Sequence, residues 1–452
     1  MPKKIEVEEV EEIKPKKTVR PGGSKIPQLL RGFKDILPVD QPYWQFLYKT
    51  AENFGSGYGF GRIDTPILEE GNLFVRSIGK QTDIVEKEMF NFADQGEGVV
   101  VLRPEATASV CRAYIAHGML NLPQPVKLYY WGPMFRRERP QSGRQRQFTQ
   151  FGFEIIGDSN PVIDAQIIAI ANNFYHQIGL KDISIQVNSI GCPECRKNYI
   201  GELVTYYKSK KKMLCEDCKK RLTKNPLRLL DCKKPSCQFL RNEAPQIIDW
   251  LDDECKTHFM KVIDYLDELN ISYKLNPYLV RGLDYYTKTV FEVWPTDKEE
   301  GSQSVLAGGG RYDGLIELLG GREETPAMGV SIGVERTILQ LKSREIDFAK
   351  PLEPQVFLAQ IGDQAKVKGL ILFEQLRKEN IAVAENFAKD SLKSQLELAN
   401  KLEVKYALIL GQKEVMDGTI LVRDMESGVQ EIIDFNKTVQ DIKKKLANGT
   451  VE

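Results

Sequence analysis

Residues 127–157 read Lys127-Leu-Tyr-Tyr-Trp-Gly-Pro-Met-Phe-Arg136-Arg-Glu138-Arg-Pro-Gln141-Ser-Gly-Arg144-Gln-Arg146-Gln-Phe-Thr-Gln150-Phe-Gly-Phe-Glu154-Ile-Ile-Gly. Two apolar, aromatic-rich runs flank a loop holding Pro140, Ser142 and Gly143, the composition of two antiparallel strands joined by a turn. Side chains alternate along a strand, so Arg136 and Glu138 share one face, as do Gln150, Gly152 and Glu154 on the return. Pairing across the turn lets those faces coincide. One sheet surface then carries a guanidinium, two carboxylates and an amide around a glycine gap, which suits a small polar ligand and a phosphate. The competing reading is a solvated hairpin whose arginines serve only solubility. Arg136, Arg137, Arg139, Arg144 and Arg146 crowd one loop of a chain whose formal net charge is zero, and that local concentration favours a polyanionic partner.

The chain has 452 residues, enough for two or three domains with proper cores. Its 42% hydrophobic and 28% charged content fits a globular protein. No apolar run is long enough to cross a bilayer and no signal peptide is recognisable, so a cytoplasmic address without membrane partners is expected. The three histidines form no His-Glu-x-x-His pair, and no hydrolase nucleophile motif occurs, which argues against hydrolytic zinc and Ser-His chemistry.

Residues 1–25 alternate Lys and Glu blocks without an aromatic residue and read as a disordered charged tail. Tyr43 to Phe54 has helical apolar spacing, and the four glycines between Gly55 and Gly61 read as a flexible joint. Arg62-Ile-Asp-Thr-Pro-Ile-Leu-Glu69 reads as a strand in which Pro66 removes a donor, suiting an edge or interface. Leu102-Arg-Pro-Glu105-Ala-Thr107 ends a strand and opens a helix, where the acidic and hydroxyl groups could simply cap. Six cysteines, Cys192, Cys195, Cys215, Cys218, Cys232 and Cys237, lie in a Lys/Arg-rich insertion spanning about 190–276. Paired Cys-x-x-Cys knuckles signal zinc, with free thiols as the alternative. Six candidates exceed four ligands, and spacing does not select among them. Gly308 to Gly310 and Gly314 are open to a plain turn reading. Beyond Pro351 to Pro354, residues 354–452 alternate strand and helix patterns and form a compact α/β domain.

Phe135-Arg136-Arg-Glu138 followed by an Arg-bearing loop resembles motif 2 of the class II aminoacyl-tRNA synthetases, and Arg139-Pro-Gln-Ser-Gly-Arg-Gln-Arg-Gln-Phe-Thr-Gln150 resembles the histidyl version. Arg62 to Glu69 is similar to motif 1, which implies a homodimer. Arg281-Gly-Leu-Asp-Tyr-Tyr286 and Ala307-Gly-Gly-Gly-Arg-Tyr312-Asp-Gly resemble histidyl-specific segments, and Gly329-Val-Ser-Ile-Gly-Val-Glu-Arg336 resembles motif 3. Ala106 and Val334 depart from the family's usual glycine and leucine. The resemblance implies an α+β fold: a catalytic domain over 26–350 built on an antiparallel sheet flanked by helices, a helical insertion, and an anticodon-binding domain over 354–452.

By the same resemblance the reaction is ATP-dependent ligation of L-histidine to tRNA(His) through histidyl-adenylate, with Mg2+ accompanying ATP. Arg136 and Arg281 are expected on the α-phosphate. Glu138, Arg144 and Arg336 fall to the rest of the nucleotide, and Gln141 and Arg146 to the tRNA acceptor end. Glu105, Thr107, Gln150, Glu154, Tyr285, Tyr286 and Tyr312 are expected around histidine. Zinc in the insertion would be structural only. Three rivals stand at this point: a regulatory paralogue without aminoacylation, a nucleic-acid-binding module using the arginine loop and cysteine knuckles, and a class II synthetase for another amino acid.

Overall fold

Alternation of apolar and polar side chains along residues 126–156 yields a ten-by-ten-residue antiparallel pair at the heart of the protein. The computed structural model describes residues 27–94, 98–141, 143–296, 305–346 and 353–448, and the charged tail over 1–25 lies outside them. The chain divides into two units, Met1–Asp347 and Phe348–Glu452.

In the first unit the strands are β1 (Gly61–Arg62), β2 (Leu68–Glu70), β3 (Phe90–Asp94), β4 (Gly98–Leu102), β5 (Val126–Phe135), β6 (Gln147–Ile156), β7 (Ile183–Ser189), β8 (Tyr273–Leu275), β9 (Thr287–Pro295), β10 (Ala307–Arg311) and β11 (Ala327–Gly333). Eight form one sheet in the order β1-β5-β6-β11-β10-β9-β7-β8, and β2, β4 and β3 form a second. Every step from β5 to β7 is antiparallel, while the short edge strands β1 and β8 run parallel to their neighbours. Period-two alternation assigns the faces. Phe151, Phe153, Met328, Val330 and Ile332 point into a core completed by the helices Gln41–Gly57 and Pro161–Gln177. Gln150, Gly152, Glu154, Gly329, Ser331 and Gly333 therefore share the opposite face, with Glu154 directly across from Gly329.

Three elements differ from the sequence expectation. The first helix runs through Gly55 to Gly57, and Gly55 serves close approach: a Cβ there would lie 2.7 Å from the Tyr129 ring. The single strand expected over 62–69 is two short ones in different sheets, because the donorless Pro66 falls between them. Gly308–Gly310 belong to strand β10 and not to a turn.

Between β7 and β8 the insertion is helical, with helices Pro193–Ser209, Glu216–Lys224, Pro235–Arg241 and Asp253–Glu268. The last of these is bound to the sheet by a buried ionic cluster. Arg311, wholly buried at the end of β10, donates from Nε to Asp164 Oδ1 at 2.9 Å and from Nη1 to the Asp158 carbonyl at 3.1 Å, and His258 Nε2 lies 2.8 Å from Asp164 Oδ2. The second unit holds β12 (Val356–Gln360), β13 (Val383–Glu385), β14 (Tyr406–Leu410), β15 (Thr419–Asp424) and β16 (Gln430–Asp434), ordered β13-β12-β14-β15-β16 and covered by helices such as Asp363–Lys378.

Removing one member of a buried ion cluster strands its partner, at a cost of roughly 3–5 kcal/mol. Asp164→Ala is expected to destabilise the first unit by about that amount. Urea unfolding followed by tryptophan fluorescence reads that unit alone, since Trp44, Trp131, Trp250 and Trp294 all lie within it.

Candidate active site

Two adjoining cavities open on the glycine-bearing face of the large sheet. The smaller, about 50 Å³, is lined by Glu105, Thr107, Arg136, Gln150, Glu154, Arg281, Tyr285, Tyr286 and Tyr312. The larger, about 620 Å³, is lined by Glu88, Arg136, Glu138, Arg144, Gln150, Arg281, Glu292, Ser331, Glu335 and Arg336 among others. Arg136, Gln150 and Arg281 belong to both walls.

Glu154 is the floor of the smaller cavity. Its carboxyl accepts from Thr107 Oγ1 at 2.7 Å and from the Tyr312 hydroxyl at 2.5 Å. Burial pushes it up to about 8 in spite of those two hydroxyls. A carboxyl at this depth needs a neighbour with no side chain, and a Cβ at Gly329 would overlap the Glu154 carboxyl. Glu105 accepts from the backbone N–H groups of Thr107 at 2.7 Å and Ala108 at 2.9 Å, so it caps the helix Thr107–Ala116 while its buried side chain lines the cavity. The capping and lining readings are both realised in one residue. Tyr285 and Tyr286 pack with ring centroids 4.7 Å apart, and Tyr312 meets Tyr285 edge-on at 5.8 Å.

Arg136 is held rigid on the wall between the cavities. Its Nε donates to the Pro104 carbonyl at 2.9 Å, and its guanidinium lies 5.3 Å from the Phe148 ring centroid. Arg281 reaches the same wall from the segment before β9, where it pairs with the half-buried Glu292 and lies over Tyr286. A Cβ at Gly308 would meet its guanidinium, so the bare β10 backbone makes the room it occupies. Arg281 Nε and Gln150 Oε1 are buried polar atoms without a hydrogen-bond partner, both on the shared wall. Such orphans point to a polar ligand.

Arg144 pairs with Glu138 at 2.9 Å. Arg336 donates to the carbonyls of Gly143 at 3.1 Å and Val305 at 2.7 Å, tying the hairpin loop to the strand pair behind it. Burial lowers the Arg336 pKa, and the nearby Arg144 and Arg136 charges lower it further. Three guanidiniums gathered at that electrostatic cost form a receptacle for a polyanion.

Every expected histidine and nucleotide residue thus lines one or both cavities. Gln141 and Arg146 do not. Gln141 lies exposed on the loop, bridged to Arg144, and Arg146 packs near Gly32 and donates from its backbone to the Gly32 carbonyl at 2.6 Å. Of the six expected cysteines, Cys215, Cys218, Cys232 and Cys237 converge, with Cys215 and Cys232 sulfurs 3.8 Å apart. Cys192 and Cys195 lie apart from them and join Asp252 and Cys255 in another group. Sequence reasoning missed Asp252 and Cys255, although Asp252-Asp-Glu-Cys255 has knuckle spacing. It also missed Glu292, which steadies Arg281, and Glu335, whose carboxylate accepts from Thr149 N at 2.7 Å and is pushed by burial up to about 7.

Residues 32–196 and 216–337 match the family model described as histidyl-tRNA synthetase, and residues 355–445 match that of the anticodon binding domain. The chain is 48% identical over 416 residues to a histidine–tRNA ligase of Dehalococcoides mccartyi, covering 92% of this chain and 99% of that one. It is 45% identical over 415 residues to a histidine–tRNA ligase of Desulforamulus reducens, covering 92% and 98%. The crystal structure of apo S. aureus histidyl-tRNA synthetase matches with a TM-score of 0.75 at 35% identity, covering 92% and 99%.

The Glu154 carboxyl binds its proton more tightly folded than unfolded. Its contribution to stability is therefore full below the unfolded value near 4.3 and is lost as pH rises to about 8. In this window the wild type is expected to lose stability relative to Glu154→Gln by roughly 1.4 kcal/mol per pH unit. Unfolding of the two proteins from pH 5 to pH 8, read by tryptophan fluorescence, checks both sign and slope.

Proposed function

The chain belongs to the histidyl-tRNA synthetase family of class II aminoacyl-tRNA synthetases, and from that premise we propose that it joins L-histidine to tRNA(His) through histidyl-adenylate, with histidine in the smaller cavity and ATP in the larger. The observation that carries the reading is the shared wall: Arg136, Gln150 and Arg281 border both spaces. An amino-acid carboxylate and an α-phosphate have to meet at such a junction.

The histidine carboxylate is already ionised and needs no base. It attacks the α-phosphorus, the bond to the β-phosphate oxygen breaks, and diphosphate leaves. Negative charge builds on the equatorial oxygens during this step, and the fixed guanidiniums of Arg136 and Arg281 stabilise it there. Arg144 and Arg336 hold the β- and γ-phosphates, whose remaining charge Mg2+ would shield when bound with ATP, and Glu138 orients the nucleotide and Arg144. A hydroxyl of the terminal adenosine of tRNA then attacks the carbonyl carbon, and AMP leaves. Gln141 and Arg146 on the hairpin loop meet the acceptor end of the tRNA, and residues 354–452 read its anticodon.

Selectivity rests on buried polar pairing. Glu154, Tyr286 and Tyr312 address the imidazole, while Glu105, Thr107, Gln150 and Tyr285 hold the rest of the substrate. A side chain unable to hydrogen-bond leaves those buried groups unpaired, a discrimination of about 10⁴ or more. A homodimer is supported by the second sheet, where Leu68, Phe90, Phe92, Val100 and Leu102 share one face in register, with Leu68 53% and Phe92 50% exposed. Zinc on Cys215, Cys218, Cys232 and Cys237 serves as a structural clamp in the insertion. Their donor set is all sulfur and three of the four are buried, as a closed structural site requires.

Amino-acid-dependent ATP–diphosphate exchange tests the reading without tRNA. Histidine alone among the amino acids is expected to support exchange, and Arg281→Ala is expected to lower its kcat by about 10²–10³, or roughly 3–4 kcal/mol in the chemical step. Absence of exchange with histidine, or preference for another amino acid, contradicts it.

A further inference from the structure

Two short sequences 60 residues apart meet at the root of the insertion. Cys192-Pro-Glu-Cys195 opens the helix Pro193–Ser209, and Asp252-Asp-Glu-Cys255 opens the helix Asp253–Glu268. Each is an x-x-spaced knuckle wrapped on the first turn of a helix, and the two first turns face each other. We propose that Cys192, Cys195, Asp252 and Cys255 bind a second zinc ion, separate from the four-cysteine site, which locks the start of the insertion to its final helix behind the histidine cavity.

The donor geometry carries this. One donor atom from each of the four lies within 4.8 Å of every other. Cys192 and Cys195 sulfurs are 3.5 Å apart, and Asp252 Oδ2 lies 3.2 Å from the first and 3.1 Å from the second. Tetrahedral zinc with ordinary bond lengths separates sulfur from sulfur by about 3.8 Å and sulfur from oxygen by about 3.5 Å, so Cys192, Cys195 and Asp252 need adjustments of only about 0.3–0.4 Å, while Cys255 Sγ, within 4.8 Å of each, closes with a shift of about 1 Å. Backbone amides also converge on the sulfurs. Asp252 N donates to Cys195 Sγ at 3.2 Å and Cys195 N to Cys192 Sγ at 3.5 Å, and both helix starts direct their amides at the cluster. Cys255 N donates to Asp252 Oδ1 at 2.7 Å, which leaves Oδ2 turned toward the sulfurs.

The placement gives the ion a task. Gly191 accepts from Lys288 N at 2.9 Å, Ile190 N donates to the Lys288 carbonyl at 2.7 Å, and Arg196 Nη1 donates to the Tyr286 carbonyl at 2.8 Å. The knuckle is thus fastened directly to the segment that presents Tyr285 and Tyr286. With a carboxylate from the exposed Asp252 among its ligands, this site is the more accessible of the two, whereas the four-cysteine site is enclosed.

Full-length protein is loaded with excess zinc, desalted, and its zinc per chain measured by plasma mass spectrometry. Two zinc ions per chain are expected for the wild type, one for Cys255→Ser and one for Cys218→Ser. Cobalt loading gives an independent count that needs no variant: charge-transfer absorption from seven sulfur bonds, four from one site and three from the other, against four for a single site. One zinc per chain that survives Cys255→Ser, cobalt absorption for four sulfurs only, or a Cys192–Cys195 disulfide in peptides mapped without reductant overturns the proposal.

Discussion

The site exists because the middle of the large sheet lacks side chains on one face. Glu154 sits opposite Gly329 on the neighbouring strand, and Arg281 lies against Gly308. Any larger residue at either position would occupy the space that the carboxyl or the guanidinium now fills. The opposite face of the same strands carries Phe151, Phe153, Val330 and Ile332, packed against helices. One surface of the sheet thus supplies the hydrophobic free energy that keeps it folded, and the other is free to be a floor for chemistry.

Charge on that floor is distributed against its own interest in the empty protein. A deeply buried carboxyl keeps its proton near neutral pH, and three arginines stand close enough for Arg336 to feel the other two. Rigid partners hold each group in place regardless: Pro104 for Arg136, Glu292 for Arg281, Gly143 and Val305 for Arg336. Groups fixed in advance need not reorganise when charge develops, and this preorganisation is what lowers a barrier. The ionic cluster of Arg311, Asp164 and His258 plays the complementary part on the helical side, keeping the sheet and its covering helices in one alignment.

Much of this was legible in the residues themselves. The hairpin could be read because two local signals, period-two alternation and a turn-forming loop, coincide within 31 residues, 127 to 157. The lining of both cavities followed once short motifs identified which distant segments join it. What stayed hidden was pairwise and long-range. Gly308–Gly310 carry the composition of a turn, and only the presence of Arg281 and Phe291 on either side explains them as strand. Gly55 looks like a helix breaker until Tyr129 is laid against it. The cysteines could not be sorted, because Cys192 and Cys195 pair with residues 60 positions away, and one of those partners is an aspartate that no cysteine pattern contains. Glu292 and Glu335 resemble any strand or helix acid when read alone.

The strand order β1-β5-β6-β11-β10-β9-β7-β8 has a bearing on synthesis. The two arginines that border both cavities are separated by the whole helical insertion, and β6 finds its second neighbour only in residues 327–333. A nascent chain emerging from the ribosome can form the hairpin early, yet β6 keeps an unpaired edge until roughly three quarters of the polypeptide has been made. Truncated products therefore carry the arginine-rich loop without the walls that shape it. Quality control has a long interval in which to meet an open, sticky intermediate, and nucleotide capture becomes a property only of chains that extend past Arg336.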